Sequence, residues 1–237
     1  MAVAIEAKAS ASVTGASTLN APSITPAGSN RLLLAVAGSD QSPVATSLVQ
    51  TRNSGVAMTL GWSDTYETYF RNSGYYTINP AASAVVCATA ANASQYGMYI
   101  AAIAFSGVDQ TTPLGTPVTG STAAGATFSA SPTSAANDLV IDNYFGNADT
   151  VTPNQGNTME TEQEDFVADD TGGVSSKAGA SGSVTIGHSR TNTAFGIGLV
   201  AVSIKNDGSG GGGGGLPFFL QDHIKQGYMA HPSGGFQ

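Results

Sequence analysis

The chain has 237 residues, enough for one large all-β domain or two small ones, and for a core that needs no disulfide or metal to hold it. Only 10% of the residues are charged while 41% are hydrophobic, which excludes a disordered polyelectrolyte. The formal net charge of −8, with eight scattered Lys and Arg, excludes a basic nucleic-acid groove and disfavours an anionic membrane surface.

"MAVAIEAKASASVTG" lacks the basic start and the uninterrupted apolar run of a signal peptide, and no stretch of 18 apolar residues offers a membrane span. The chain is therefore expected to be made in the cytoplasm and to leave a cell only as part of a particle. From there onward short apolar runs alternate with Gly, Pro, Asn and Ser clusters. "RLLLAVAG" (31–38), "ASAVVCATA" (82–90), "GMYIAAIAFSG" (97–107), "DLVIDNYFG" (138–146), "GSVTIGH" (182–188) and "AFGIGLVAVSIK" (194–205) predict strands. "SITPAGSN", "TINPAAS" and "ASPTSAAND" supply turns. No segment before residue 216 keeps a 3.6-residue period over three turns. The single cysteine, Cys87, has no partner for an intrachain disulfide and reads as a small core residue in a strand.

The strands repeat at a spacing of about 100 residues. "SNRLLLAVAG" matches "ANDLVIDNYFG", "GVAMTL" echoes "GNTMETE", and the stretch from Ala82 to Asp109 echoes that from Ser181 to Asp207. Each half offers one sheet face to bury, and two such halves bury their faces against each other. The expected fold is all-β: an antiparallel, jelly-roll-like sandwich over residues 1–206, built from halves of about 1–110 and 111–206. "SGVDQTTPLGTPV" (106–118) is the expected crossover.

"PAGSNRLLLAVAG", "GVAMTL", "YYTINPAASAVVCATA" and above all "AFSGVDQTTPLG" resemble a family of β-sandwich domains found in phage virion and bacterial surface proteins. The resemblance runs from about Ser23 to Lys205. It implies an exposed structural or adhesive domain and no enzyme, and it brings no catalytic residues with it. The segment after Asn206 departs from the family pattern.

Candidate chemistry is sparse. "METEQEDFVADD" places Glu160, Glu162, Glu164, Asp165, Asp169 and Asp170 together, and Glu160, Glu162 and Glu164 share one face of a regular strand. Calcium wants several converging oxygens, but the spacing is not that of an EF-hand, and a solvated acidic face is the plainer reading. His188 reads as a surface turn residue after "SVTIG", while His223 and His231 have no third ligand at a zinc spacing. No GxSxG elbow occurs and no GK[ST] follows the glycines, so no catalytic residue and no cofactor are expected. In "GWSDTYETYFRNSGYY", Trp62, Tyr66 and Tyr69 are candidates for stacking on sugar rings. Their alternation along one strand, Tyr66 with Thr68 and Glu67 with Tyr69, also suits core and cross-strand packing.

Residues 207–215 form a Gly/Ser linker with six consecutive glycines, 210–215. Nine flexible residues span about 15–18 Å on average. The tail 216–237 follows, with Pro217 placed where a helix begins and Leu220, Ile224 and Tyr228 at intervals of four. A twelve-residue helix is marginal alone in water, so such a segment orders by docking. Phe218, Phe219, Leu220, Ile224 and Tyr228 are the expected anchors. The expected function is a non-enzymatic virion structural protein with capsid, neck or tail proteins as partners, oligomeric in the assembly. The alternative is an adhesin module that binds a host surface glycan.

Overall fold

The computed structural model describes residues 1–40, 48–53, 55–148, 150–167, 170–191 and 196–208. Among them there is no helix. The first half contributes β1 (Ala4–Asn20), β2 (Leu32–Asp40), β3 (Leu48–Arg52), β4 (Val56–Ala57), β5 (Thr59–Tyr66), β6 (Phe70–Ile78) and β7 (Cys87–Ser106). The second contributes β8 (Val118–Thr119), β9 (Thr127–Ala130), β10 (Thr133–Ser134), β11 (Leu139–Asn147), β12 (Val151–Pro153), β13 (Thr158–Val167), β14 (Asp170–Ala178), β15 (Gly182–Ser183), β16 (Ile186–Arg190) and β17 (Ile197–Ile204).

The strands pair antiparallel and repeat their order. In the first half β7, β2, β6 and β5 lie side by side, and in the second β17, β11, β14 and β13 do the same. β3 pairs with the start of β7 as β12 pairs with β16. β1 runs along the whole of β7, and its counterparts β8 and β9 divide that work between β17 and β16. The turn before each central strand is built alike: Asn30 and Asn137, each two residues ahead of its strand, take left-handed φ values of 50° and 69°. Asparagine tolerates that region better than most side chains.

Two expected strands, 82–90 and 97–107, are in fact one. β7 is continuous over 20 residues, pairing with β3 through its first five and with β2 from Gly97 to Phe105. A strand shared in this way curls its sheet into a half-barrel.

The expectation of one buried face per half is also corrected. β2, the second half of β7, β11 and β17 are buried on both faces, which is why they read as unbroken apolar runs. Between the halves lies a core of Leu32, Leu34, Val36, Tyr99, Ile103 and Phe105 against Ile141, Phe145, Val174, Val200, Val202 and Ile204. Behind it each half has a core of its own. Leu33, Ala35, Ile100, Ala102 and Cys87 pack inside the first roll, and Val140, Tyr144, Ile186 and Leu199 inside the second. Each large side chain buried in this way contributes about 1.5–3 kcal/mol.

Glycines let the sheets close. A Cβ on Gly38 would come 2.3 Å from the Phe145 ring, and one on Gly172 would come 2.6 Å from the Tyr99 ring. An aromatic of each half thus lies over a glycine of the other. β1 and β13 close one side of the sandwich, through an ion pair of 2.6 Å between Lys8 and Glu160 and through bonds of 3.2 Å joining Gln163 to Ser10 and Ser12.

Candidate functional site

The three candidate sugar-stacking rings do not share a face. Trp62 is only 6% exposed and belongs to the core between the halves. Its indole lies over Gly74, whose missing Cβ makes the room. Tyr66 packs partly buried on that core, with its Cβ 3.2 Å from where a Cβ on Gly198 would stand. Tyr69, 41% exposed, stands apart in the turn between β5 and β6. The expected alternation through Tyr66–Tyr69 fails because residues 67–69 are that turn, with Glu67 at a left-handed φ of 53°. Packing wins here because a large apolar indole gains more from the core than from water.

The acidic segment is corrected too. β13 shifts register between Met159 and Thr161, so Glu160 and Glu162 leave by opposite faces. Glu160 meets Lys8 and accepts a bond from Ser176, on the side of the first half. Glu162 turns inward and accepts the Tyr144 hydroxyl, whose pKa is raised well above its usual value by burial and by that carboxylate. Asp170 is buried. Asp169 lies outside the described residues, as do the side chains of Glu164 and Asp165. No three His, Cys, Asp or Glu among the described residues are grouped to hold a metal ion.

His188, expected on the surface, is instead fully buried in β16. Its Nε2 lies 2.7 Å from Asp142 Oδ2. Asp142 also accepts the Ser175 backbone N–H at 2.7 Å and the Ser175 hydroxyl at 3.0 Å, and Asn157 donates to that hydroxyl at 2.6 Å. The imidazole stacks on Phe128 with centroids 5.2 Å apart, and Tyr144 tilts against it at 4.7 Å. The residue types are those of a hydrolytic triad, but the geometry is not. In a triad the imidazole holds the acid on one nitrogen and the serine on the other. Here Nε2 faces both, with Ser175 Oγ 3.4 Å away, and Nδ1 is buried without a partner among the described residues. Asp142, Ser175 and His188 are all fully buried, so no substrate reaches them. The cluster fastens β16 to β11 and β14. Its signal in the sequence was Asp142 itself: a carboxylate inside "LVIDNYF", a run buried on both faces, demands donors.

Sequence reading also missed how the body ends. Asp138, just before β11, accepts the Asn206 backbone N–H at 2.9 Å, the Asn206 amide at 2.8 Å, the Ala135 N–H at 2.9 Å and the Ser203 hydroxyl at 3.0 Å. Burial alone would raise its pKa, but these bonds outweigh burial and lower it. Asp207 donates its N–H to Gly107 O at 3.0 Å and accepts Asn30 Nδ2 at 2.7 Å. The last described residues are therefore pinned to loops of both halves, one residue before Gly208. An open depression of about 310 Å³ beside them is lined by Asp109, Thr133, Ser134, Asp138, Lys205 and Asn206. The carboxylate of Asp138 is already saturated by protein donors. The linker beyond Gly208, the anchors Phe218, Phe219, Leu220, Ile224 and Tyr228, and His223 and His231 lie outside the described residues.

The fold and these sites define a two-repeat antiparallel β-sandwich whose internal polar groups serve its own packing. Compared with known proteins, the chain matches no family model, no curated protein and no solved structure.

Proposed function

We propose that this chain is a non-enzymatic structural protein of a phage particle, with the sandwich displayed outward and the C-terminal segment 216–237 docked in a capsid, neck or tail protein. The observation that carries this reading is the sequence of events at the end of the body. The last strand is clamped at Asn206 and Asp207 by bonds to both halves, and six glycines and an apolar, aromatic segment follow at once. A clamped body, a Gly/Ser linker sequence and an apolar, aromatic segment are the parts of a tether. The low charge and the glycine-for-aromatic fit between the halves suit a stiff module. The resemblance of "AFSGVDQTTPLG" to virion and surface domains points to the same setting.

The test is a deletion of residues 216–237. The shortened protein is expected to fold with an unchanged melting temperature and to be missing from purified particles. Normal incorporation of the shortened protein would refute the tether.

A further inference from the structure

We propose that the body binds a neutral sugar residue of a polysaccharide in a depression on the outer face of the first roll, where β1 ends, β3 turns into β4 and β7 begins. The depression has a volume of about 350 Å³ and is lined by Asn20, Asn53, Val86 and Ala88. That size suits a small ligand. Its floor is the start of β7, paired with β3 on one side and β1 on the other, so it presents side chains and not an open backbone edge.

Alternation along these strands decides which side chains look out. Leu19, Gln50, Cys87 and Thr89 turn into the roll. Their neighbours Thr18, Asn20, Thr51, Ala88 and Ala90 turn outward, together with Val49 and Val86, which are 41% and 36% exposed. Asn53 is fixed by two bonds to a single residue. Its backbone N–H donates to Val86 O at 2.9 Å, and its Oδ1 accepts the Val86 N–H at 3.2 Å. Asparagine also suits its left-handed φ of 44°. Among the described residues, both hydrogens of Asn53 Nδ2 stay unspent, and the exposed Asn20 carboxamide makes no hydrogen bond.

The second half is the control. There Gly187 stands opposite Asn154 as Val86 stands opposite Asn53, and the Asn154 N–H donates to Gly187 O at 3.1 Å. A Cβ on Gly187 would come 2.5 Å from Ser129 Cβ, so β9 packs too closely there to leave space for a side chain. The opening thus belongs to the first half and is not imposed by the topology.

The ligand follows from the groups that line the site. Each carboxamide sets a donor beside an acceptor, which matches the adjacent hydroxyls of a sugar, since every hydroxyl both gives and takes a hydrogen bond. The methyl groups of Val86 and Ala88 suit the C–H face of the ring. None of the outward residues carries a charge. The one charged side chain of β3 and β4, Arg52, belongs to the inward set opposite Cys87, with its Nε buried. An anion would want Arg or Lys here, and a hard cation would want carboxylates. A neutral ring needs neither. This site does not depend on the tail.

The test is a titration of the full chain with glucan, mannan and galactan oligosaccharides. Polygalacturonate fragments serve as the acidic control and an uncharged Ser/Thr/Gly peptide as the peptide control. The readout is the NMR signals of the Asn20 and Asn53 carboxamides and of the Val86 and Ala88 methyls. At least one neutral oligosaccharide should shift all four saturably, and neither control should. Asn53→Asp keeps the acceptor for the Val86 N–H and removes Nδ2. It and Asn20→Ala should each weaken binding by about tenfold with the melting temperature unchanged. Tyr69→Ala should leave binding as it was. If Asn53→Asp disturbs the turn, Asn20→Ala alone decides. No shift from any neutral oligosaccharide, equal binding by the acidic fragments or the peptide, or binding that survives Asn20→Ala undiminished would overturn the proposal.

Discussion

Asp142 and Ala35 occupy the same place, each the fourth residue of its central strand. The first roll fills that place with an apolar side chain among Leu33, Ile100 and Cys87, while the second fills it with a carboxylate bonded to His188 and Ser175. The repeat is therefore its own control: the topology does not require the buried pair. Breaking one side of such a pair leaves the other polar group uncompensated, which costs about 3–5 kcal/mol. Asp142→Ala should lower stability by that order in urea unfolding, and Asp142→Ala with His188→Leu should recover a large part of it. A double variant as unstable as the single one would show that the pair does more than satisfy itself. Cys87, read from the sequence as a core residue, is fully buried, and burial pushes its thiol up to about 12. At the end of β2, burial pushes the Asp40 carboxyl from 3.8 up to about 6. The folded state then holds a proton that the unfolded chain has released, so stability falls as pH rises from about 4 to 6 and is level above. Asp40→Asn removes that slope, and its melting temperature should exceed the parent's at pH 7 but not at pH 4. Parallel melting curves across that range would contradict the burial of this carboxyl.

Strands buried on both faces were legible as elements because nothing in them has to be polar. β2, β11 and β17 announce themselves in "LLLAVAG", "LVIDNYF" and "IGLVAVSI". β1 did not, although it is 17 residues long. Its inward positions are Ala7, Ala9 and Ala11, too small to make the alternation with Lys8, Ser10 and Ser12 visible as a hydrophobic pattern. The hairpin of β5 and β6 was blurred for a different reason. Its turn holds Glu67 in a left-handed conformation with no glycine to mark it, so the aromatic run read as one strand. The register shift in β13 left no mark in composition at all, and with it went the faces of Glu160 and Glu162. Trp62 gives the element its test. An aromatic of the core between the halves costs about 3–5 kcal/mol when cut to alanine. Trp62→Ala should lower the melting temperature by many degrees, whereas a surface platform residue would lose only ligand binding. An unchanged melting curve would place the indole outside the core.

At the scale of the molecule, the duplication was legible because two segments of similar character, 29–38 and 136–146, lead into the central strands β2 and β11, and the strand order repeats around them. The second core inside each roll was not legible, since the sequence shows that a strand is apolar on both faces but not what covers the second face. The acidic segment and the aromatic run, prominent in the sequence, turn out to serve closure: Glu160 reaches β1, Glu162 reaches Tyr144, and Trp62 fills the middle. What remains unspent is the end of the chain, where a clamped strand gives way to glycine and then to Phe218, Phe219, Leu220, Ile224 and Tyr228. The most direct measurement is cryo-electron microscopy of particles that carry this protein. Density for residues 216–237 enclosed by a second particle protein, with the sandwich standing outward on its linker, is the predicted result. A sandwich held to the particle through its own sheets, with the segment 216–237 free of any partner, would contradict the account.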